Sequence, residues 1–114
     1  MHELPVTENI LEISLKYAQE ANASQITNIY LVIGQMASIV DDSVQFYWEI
    51  ISKGTIAEKA HLHFNRIPTK FQCLKCNHQF LYNGDDFECP NCGSVEVKII
   101  DGDQFFLEAI DVEK

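Results

Sequence analysis

All four cysteines of this chain fall into two identical clips, Cys73-Leu-Lys-Cys76 and Cys89-Pro-Asn-Cys92, and no other feature limits its fold as tightly. Thiolates two residues apart can share one ion, because a tight turn brings both sulfurs to about 2.3 Å from it and closes a chelate. Asn77 and Gly93, which follow the two clips, tolerate the left-handed backbone that curls a chain back under a metal, and Pro90 presets the φ of the second turn. Two such knuckles face each other across one ion. The twelve residues between them, 77 to 88, suffice for a hairpin carrying Phe80, Tyr82 and Phe87.

Two disulfides would need an oxidising compartment. Met1-His2-Glu3-Leu4-Pro5 lacks the basic start and apolar run of a secretory signal, and no stretch reaches membrane-spanning length, so a reduced, cytoplasmic thiolate site with no membrane partner is expected. A redox Cys-x-x-Cys of the thioredoxin kind normally comes singly, beside a βαβ pattern, and two matched clips disfavour it. Spacing does not name the metal. Zinc and a single iron both accept four thiolates in a tetrahedron; zinc would make the site structural, whereas iron would make a rubredoxin-like one-electron carrier.

The chain has 114 residues, room for one ordinary domain or for a small core with a metal-stapled lobe. Eight basic against seventeen acidic side chains leave a net charge of −9, and four thiolates around a divalent ion make it more negative. Zinc ribbons that bind nucleic acid need a basic footprint, and only Lys70, Lys75 and Lys98 lie near this one. Nucleic acid is therefore not expected as a partner.

Pro5 to Ala21 reads as a helix with a stripe of Val6, Ile10, Ile13, Tyr17 and Ala21, broadened by Leu11, Leu15 and Ala18 and stopped at Asn22. Gln25 to Gly34 reads as a well-covered strand, with Ile29, Leu31 and Ile33 on one side and Tyr30 and Val32 on the other. Asp41 or Asp42 offers a cap for a second helix with Val44, Tyr47, Trp48 and Ile51 inward, flanked by Phe46 and Ile50, before Gly54. From Ala60 to Ile67 the period changes to two, and Pro68 breaks the strand. Val95, Val97 and Ile99 alternate behind the cysteines, and Phe105 to Val112 is too apolar to hang free in water. The expected architecture is α+β: two helices on a small three-stranded sheet completed by the tail, with an inserted four-cysteine zinc-ribbon, rubredoxin-like lobe. The domain boundaries read as 1–68 with 101–114, and 69–100.

The second chemical feature stands at the beginning. The Met1 amine, the His2 backbone nitrogen and imidazole, and the Glu3 amide can offer four nitrogens in a plane, which suits Ni(II) or Cu(II). Taken alone, a terminal histidine is usually just solvated. Its context makes the difference: Met1-His2-Glu3-Leu4 opening an amphipathic helix, a strand ending Ile33-Gly34, Phe46 to Gly54-Thr55, Ile67-Pro68, and the paired clips at 73 to 94 follow one another in an order that resembles the HypA/HybF family. The likeness covers essentially the whole chain. It implies a nickel metallochaperone for hydrogenase maturation, with Met1, His2 and Glu3 holding Ni2+ as cargo and Cys73, Cys76, Cys89 and Cys92 holding structural Zn2+. It also implies delivery to the large subunit of [NiFe]-hydrogenase, help from a nickel-handling GTPase and, for some members, service to urease maturation. Leu4-Pro5-Val6-Thr7 departs from the serine or alanine found in that stretch of other members, and leaves the ligands untouched.

His61 and His63 lie two apart on one strand face and read as its wet side; His78 reads as a solvated hairpin residue near the cysteines. No nucleophile elbow, phosphate loop or paired catalytic carboxylates are visible, so the chain is not expected to be an enzyme. Two rivals to the nickel reading are an iron electron carrier, which would be red and reducible, and a zinc-ribbon adaptor for protein contacts, which would ignore nickel.

Overall fold

The computed structural model describes residues 3–82, 84 and 86–114. The chain divides into two compact units, one of residues 1–32, 38–65 and 106–114, the other of 33–37 and 66–105.

In the first unit, α1 (Glu3–Glu20) packs on α2 (Asp41–Ile51). The buried line of α1 is Thr7, Ile10, Ser14 and Ala18, one position round from the expected stripe, and Tyr17 is 52% exposed. Three of these four are small side chains, while Val6, Leu11, Ile13 and Leu15 stand half-covered. Asn22 does end α1: with φ 56° it sits left-handed, its amide donating to the Gln19 carbonyl at 3.0 Å and the Ala23 amide to the Ala18 carbonyl at 2.9 Å, the two bonds of a Schellman cap. At the second helix the N-cap is Val40, with no side-chain cap, and Asp41 and Asp42 fall inside the first turn, where they favour the positive end of the helix dipole. Val44 and Trp48 are the buried residues of α2, whereas Phe46 is 60% exposed and Ile50 lies out with it.

Three strands, β1 (Gln25–Gly34), β2 (His61–Ile67) and, late in the chain, β6 (Phe105–Glu113), form a sheet of order β2-β1-β6. The Asn28–His63 and Gln35–Ile67 contacts rise together in number, the sense of a parallel pair, while Ser24–Glu113 and Gly34–Gln104 run oppositely, the sense of an antiparallel one. The apolar tail thus returns to the first half, as its composition requires. Its inward set is Phe105, Leu107, Ile110 and Val112, so the alternation slips by one residue between Leu107 and Ile110. Ile26, Ile29, Leu31, Val44 and Trp48 are all but sealed from water. These aliphatic and aromatic side chains are the hydrophobic core; burying each one removes about 1.5–3 kcal/mol worth of apolar surface from water.

The second unit carries a smaller sheet, β4-β3-β5, from β3 (Lys70–Cys73), β4 (Gln79–Leu81) and β5 (Val97–Asp101), both pairs antiparallel. Phe71 faces Phe80 on one side and Ile99 on the other, with a register irregularity at Lys70/Phe71. Val95, expected within the last of these strands, precedes it and is 71% exposed. At the root of the lobe, Thr69 is fully buried: its amide donates to Gln35 Oε1 at 3.0 Å, its hydroxyl to the Gly102 carbonyl at 3.2 Å, and its carbonyl accepts from the Tyr82 amide at 2.8 Å. A Cβ at Gly34 would lie 2.1 Å from the Gly102 carbonyl oxygen, and Gly102 itself has φ 87°. Both positions therefore require glycine. Among the described residues no helix is long and apolar enough to cross a membrane.

Candidate metal centre

Each cysteine clip is a tight turn held by its own backbone. In the first, the Asn77 amide donates to the Cys73 carbonyl at 3.0 Å with Asn77 at φ 63°; in the second, the Gly93 amide donates to the Cys89 carbonyl at 2.8 Å with Gly93 at φ 79°. The left-handed residue after each clip lets the chain turn back without a clash at Cβ. The first turn also aims amide hydrogens at sulfur, with Lys75 N and Cys76 N lying 3.4 and 3.5 Å from Cys73 Sγ. Strand β3 delivers Cys73, the Leu74 amide donates to the Glu96 carbonyl at 2.8 Å, and the Cys89 amide to the Ser94 carbonyl at 2.8 Å. Backbone bonds therefore tie both knuckles into the lobe.

The four Sγ atoms lie within 4.8 Å of one another, with Cys73–Cys92 at 3.5 Å and Cys76–Cys89 at 3.6 Å, and no disulfide joins them. A tetrahedron with metal–sulfur bonds of about 2.3 Å has edges of about 3.8 Å. The sulfur atoms thus stand close to the corners of such a tetrahedron. Cys73 and Cys89 are buried, Cys76 is half-buried and Cys92 is exposed.

Proton affinities divide in the same cluster. Hydrogen bonds from the Asn91 side chain, 3.5 Å from its sulfur, and from the His78 amide draw the Cys76 thiol down to about 6, and amide donors, Cys76 foremost, lower Cys73. At Cys92 the Ser94 amide works downward but is outweighed by the Cys73 thiol, burial and the other two sulfurs, so its pKa is pushed up to about 12. Four thiolates this close cannot all carry charge unaided. A divalent cation among them removes the conflict, deprotonates all four and closes every coordination position, which is the chemistry of a structural zinc site. Bound zinc would supply a cross-link between the knuckles. Ligand spacing alone gives Asn91 no role; its signal is an amide donor inside the second clip. Beneath the site Phe71 is buried, with ring centroids 5.8, 5.6 and 5.4 Å from Phe80, Tyr82 and Phe87.

The His78 backbone amide reaches the Cys76 sulfur, but among the described residues no histidine, aspartate or glutamate side chain joins the four sulfurs. His78 is exposed and its ring stacks over Phe80 at 6.2 Å. His61 and His63 are both exposed. His63 Nε2 lies 2.7 Å from Asn28 Oδ1 and its ring stacks on Tyr30 at 4.8 Å. Tyr30 in turn donates to Asp111 at 2.7 Å, and that carboxylate holds the phenol above its ordinary pKa. Met1 and His2, expected as nickel ligands, lie outside the described residues. Glu3 opens α1; its carbonyl accepts from the Thr7 hydroxyl at 2.6 Å and its carboxylate from the Val40 amide at 3.3 Å.

Comparison with known proteins agrees with this architecture over its full length. The family model described as "Hydrogenase/urease nickel incorporation, metallochaperone, hypA" matches residues 1–112. A hydrogenase maturation factor HypA of Dehalococcoides mccartyi is 43% identical over 113 residues, covering 99% of this chain and 95% of that protein. The factor of the same name from Caldanaerobacter subterraneus is 36% identical, covering 99% of this chain and 100% of its own. The solution structure of the Ni metallochaperone HypA from Helicobacter pylori superposes with a TM-score of 0.68 at 22% identity, covering 99% of this chain and 98% of its own. A second solution structure of a HypA protein gives 0.74 at 22%, covering 98% and 96%. At that identity the two structures speak for the fold, α+β with a four-cysteine lobe. Family and relatives are metallochaperones and maturation factors, not enzymes. The chain therefore belongs to the HypA family of hydrogenase/urease nickel-incorporation metallochaperones.

Proposed function

We propose that this chain carries Ni(II) at its N-terminus, through the Met1 amine, His2 and the Glu3 amide, and delivers it to the large subunit of [NiFe]-hydrogenase, while Cys73, Cys76, Cys89 and Cys92 hold zinc permanently. The observation that carries the reading is the match to the nickel-incorporation family along residues 1–112, which includes both the terminal tripeptide and the cysteine clips. In this reading residues 1–68 with 101–114 handle nickel, 69–100 form the zinc domain, and the protein works in the cytoplasm with a nickel-handling GTPase, or with the urease maturation proteins.

Physical chemistry supports the division between the two metals. Four thiolates around one zinc leave no open position, so the cysteine site is suited to permanence and not to exchange. A terminal chelate can be taken apart ligand by ligand. Glu3 is the first residue of α1, and an α-helix leaves its first four amides without internal acceptors, so the Glu3 nitrogen can be given to a metal without breaking a helical bond.

The test is metal analysis of untagged protein followed by nickel titration. Zinc at one per chain, no red colour, and loss of tight Ni(II) binding in His2→Ala with an unchanged circular dichroism spectrum are expected. Undiminished nickel affinity in His2→Ala defeats the assignment; bound iron would restore the electron-carrier reading, and indifference to nickel the adaptor one.

A further inference from the structure

β6 is an outer strand of its sheet: β1 lies on one side, and no strand of the described residues pairs with the other. Nine residues long, it offers there a row of unshared amides and carbonyls, the template on which a further extended chain can add. Its side chains specify what fits beside it. On the inward row Leu107, Ile110 and Val112 are only half-buried, whereas Ile29 and Leu31 of β1 are sealed, so apolar cover thins towards the free edge. On the outward row Glu108, Asp111 and Glu113 are exposed and of one sign.

The outward face is built firmly. Tyr30 donates to Asp111 Oδ2 at 2.7 Å and the Asn28 side-chain amide to the same oxygen at 3.2 Å, while Asn28 Oδ1 lies 2.7 Å from His63 Nε2. This polar ladder crosses β6, β1 and β2 and fixes the strand that carries the carboxylates. The opposite edge, β2, turns His61, His63 and Asn65 outward and has no acidic row. A second copy of the chain does not suit β6, because two such edges side by side bring carboxylate rows together on molecules that already carry a net charge of −9.

We propose that β6 is a docking edge for an extended segment of a partner protein in which basic and apolar residues alternate. The backbone of that segment continues the sheet, its lysine or arginine side chains face Glu108, Asp111 and Glu113, and its apolar side chains extend the row of Leu107, Ile110 and Val112. A strand has a side-chain period of two, so one alternating segment meets both demands at once. The surface uses none of the metal ligands, so the inference goes beyond the nickel reading and stands independently of it.

The experiment uses the full zinc-loaded chain and, as probe, a short synthetic peptide of alternating lysine and valine; its control has the same composition with the lysines in one block. Binding is followed by amide NMR, with hydrogen exchange along β6. The alternating peptide should bind saturably, shift the β6 amides and slow their exchange, and the block control should bind about tenfold more weakly. Glu108→Lys combined with Glu113→Lys should weaken binding about tenfold, with circular dichroism and zinc content unchanged; should that pair disturb folding, Glu108→Gln with Glu113→Gln removes the charge more gently and should still weaken binding. Equal affinity for both peptides, binding that leaves β6 exchange unaltered, shifts centred elsewhere, or no binding at about 1 mM peptide each overturn the proposal. So does a concentration-dependent dimer that protects the β6 amides without any peptide, because the occupant would then be a second copy.

Discussion

The two units of the chain are held together by different physics. The first buries aliphatic side chains from α1, α2 and β1 together with Trp48, the kind of apolar burial that drives folding. Among its described residues the second buries Phe71, Cys73, Cys89 and, from the end of β1, Ile33, and leaves Leu74, Leu81, Phe87, Val95, Ile99 and Ile100 at the surface. Such a lobe is too small to close a hydrophobic core and depends on a staple. The proposed nickel cargo and the proposed resident zinc thus make opposite demands. Permanence needs a closed cage on which folding depends; transfer needs ligands whose departure leaves the fold intact.

That contrast can be broken by experiment. The largest effect should follow removal of zinc by a strong chelator or by Cys89→Ser. Structural zinc binding is worth about 10 kcal/mol or more, so the lobe should unfold and its Phe71 cluster take up water while the helical signal persists. Full zinc content and a normal melting curve in Cys89→Ser would sink the four-thiolate site. Trp48→Ala tests the other unit. It should cost about 3–5 kcal/mol by emptying a sealed position, with the helical transition falling and zinc stoichiometry unchanged. Zinc loss at the same denaturant concentration as helix loss would mean that the units do not melt separately.

Smaller effects sharpen the comparison. Gly34→Ala pushes a methyl group against the Gly102 carbonyl and should destabilise the second unit by about 2 kcal/mol, read as a lower temperature for zinc release. A wild-type value would show that the two backbones can part. Smallest of all is Ser14→Ala. The Ser14 hydroxyl is buried and has no hydrogen-bond partner, so its removal should leave stability within about 0.5 kcal/mol or raise it slightly. A clear loss, measured by denaturant midpoint, would reveal a buried water bridging that hydroxyl.

Much of this architecture is legible before any coordinates. The cysteine clips are local, and two-residue spacing with Asn77 and Gly93 behind it commits the backbone to knuckles wherever they sit. The stop at Asn22 is legible for the same reason. The return of Phe105–Glu113 to the first sheet follows from its apolar content, which water would penalise. Less accessible was the inner face of α1. Periodicity weights large apolar residues, whereas the buried line of α1 is filled by the small side chains of Thr7, Ser14 and Ala18 beside Ile10, and Tyr17 lies outside. The cap of α2 was misplaced because Asp41 and Asp42 look like caps and act one position later, as charges on the dipole.

From the order of its residues alone the chain determined its chemistry: four sulfurs for one ion, a terminal histidine, an acidic surface, and two kinds of hydrophobic period. Ligand spacing, charge and periodicity are local properties, carried by neighbours in the chain. Only the tertiary structure decided which partners those residues would find across distance, namely Asn91 at the Cys76 sulfur, Gly34 against Gly102, and the Glu3 carboxylate at the Val40 amide. Such contacts join residues that are far apart in the chain, and their geometry exists only once the intervening elements have packed.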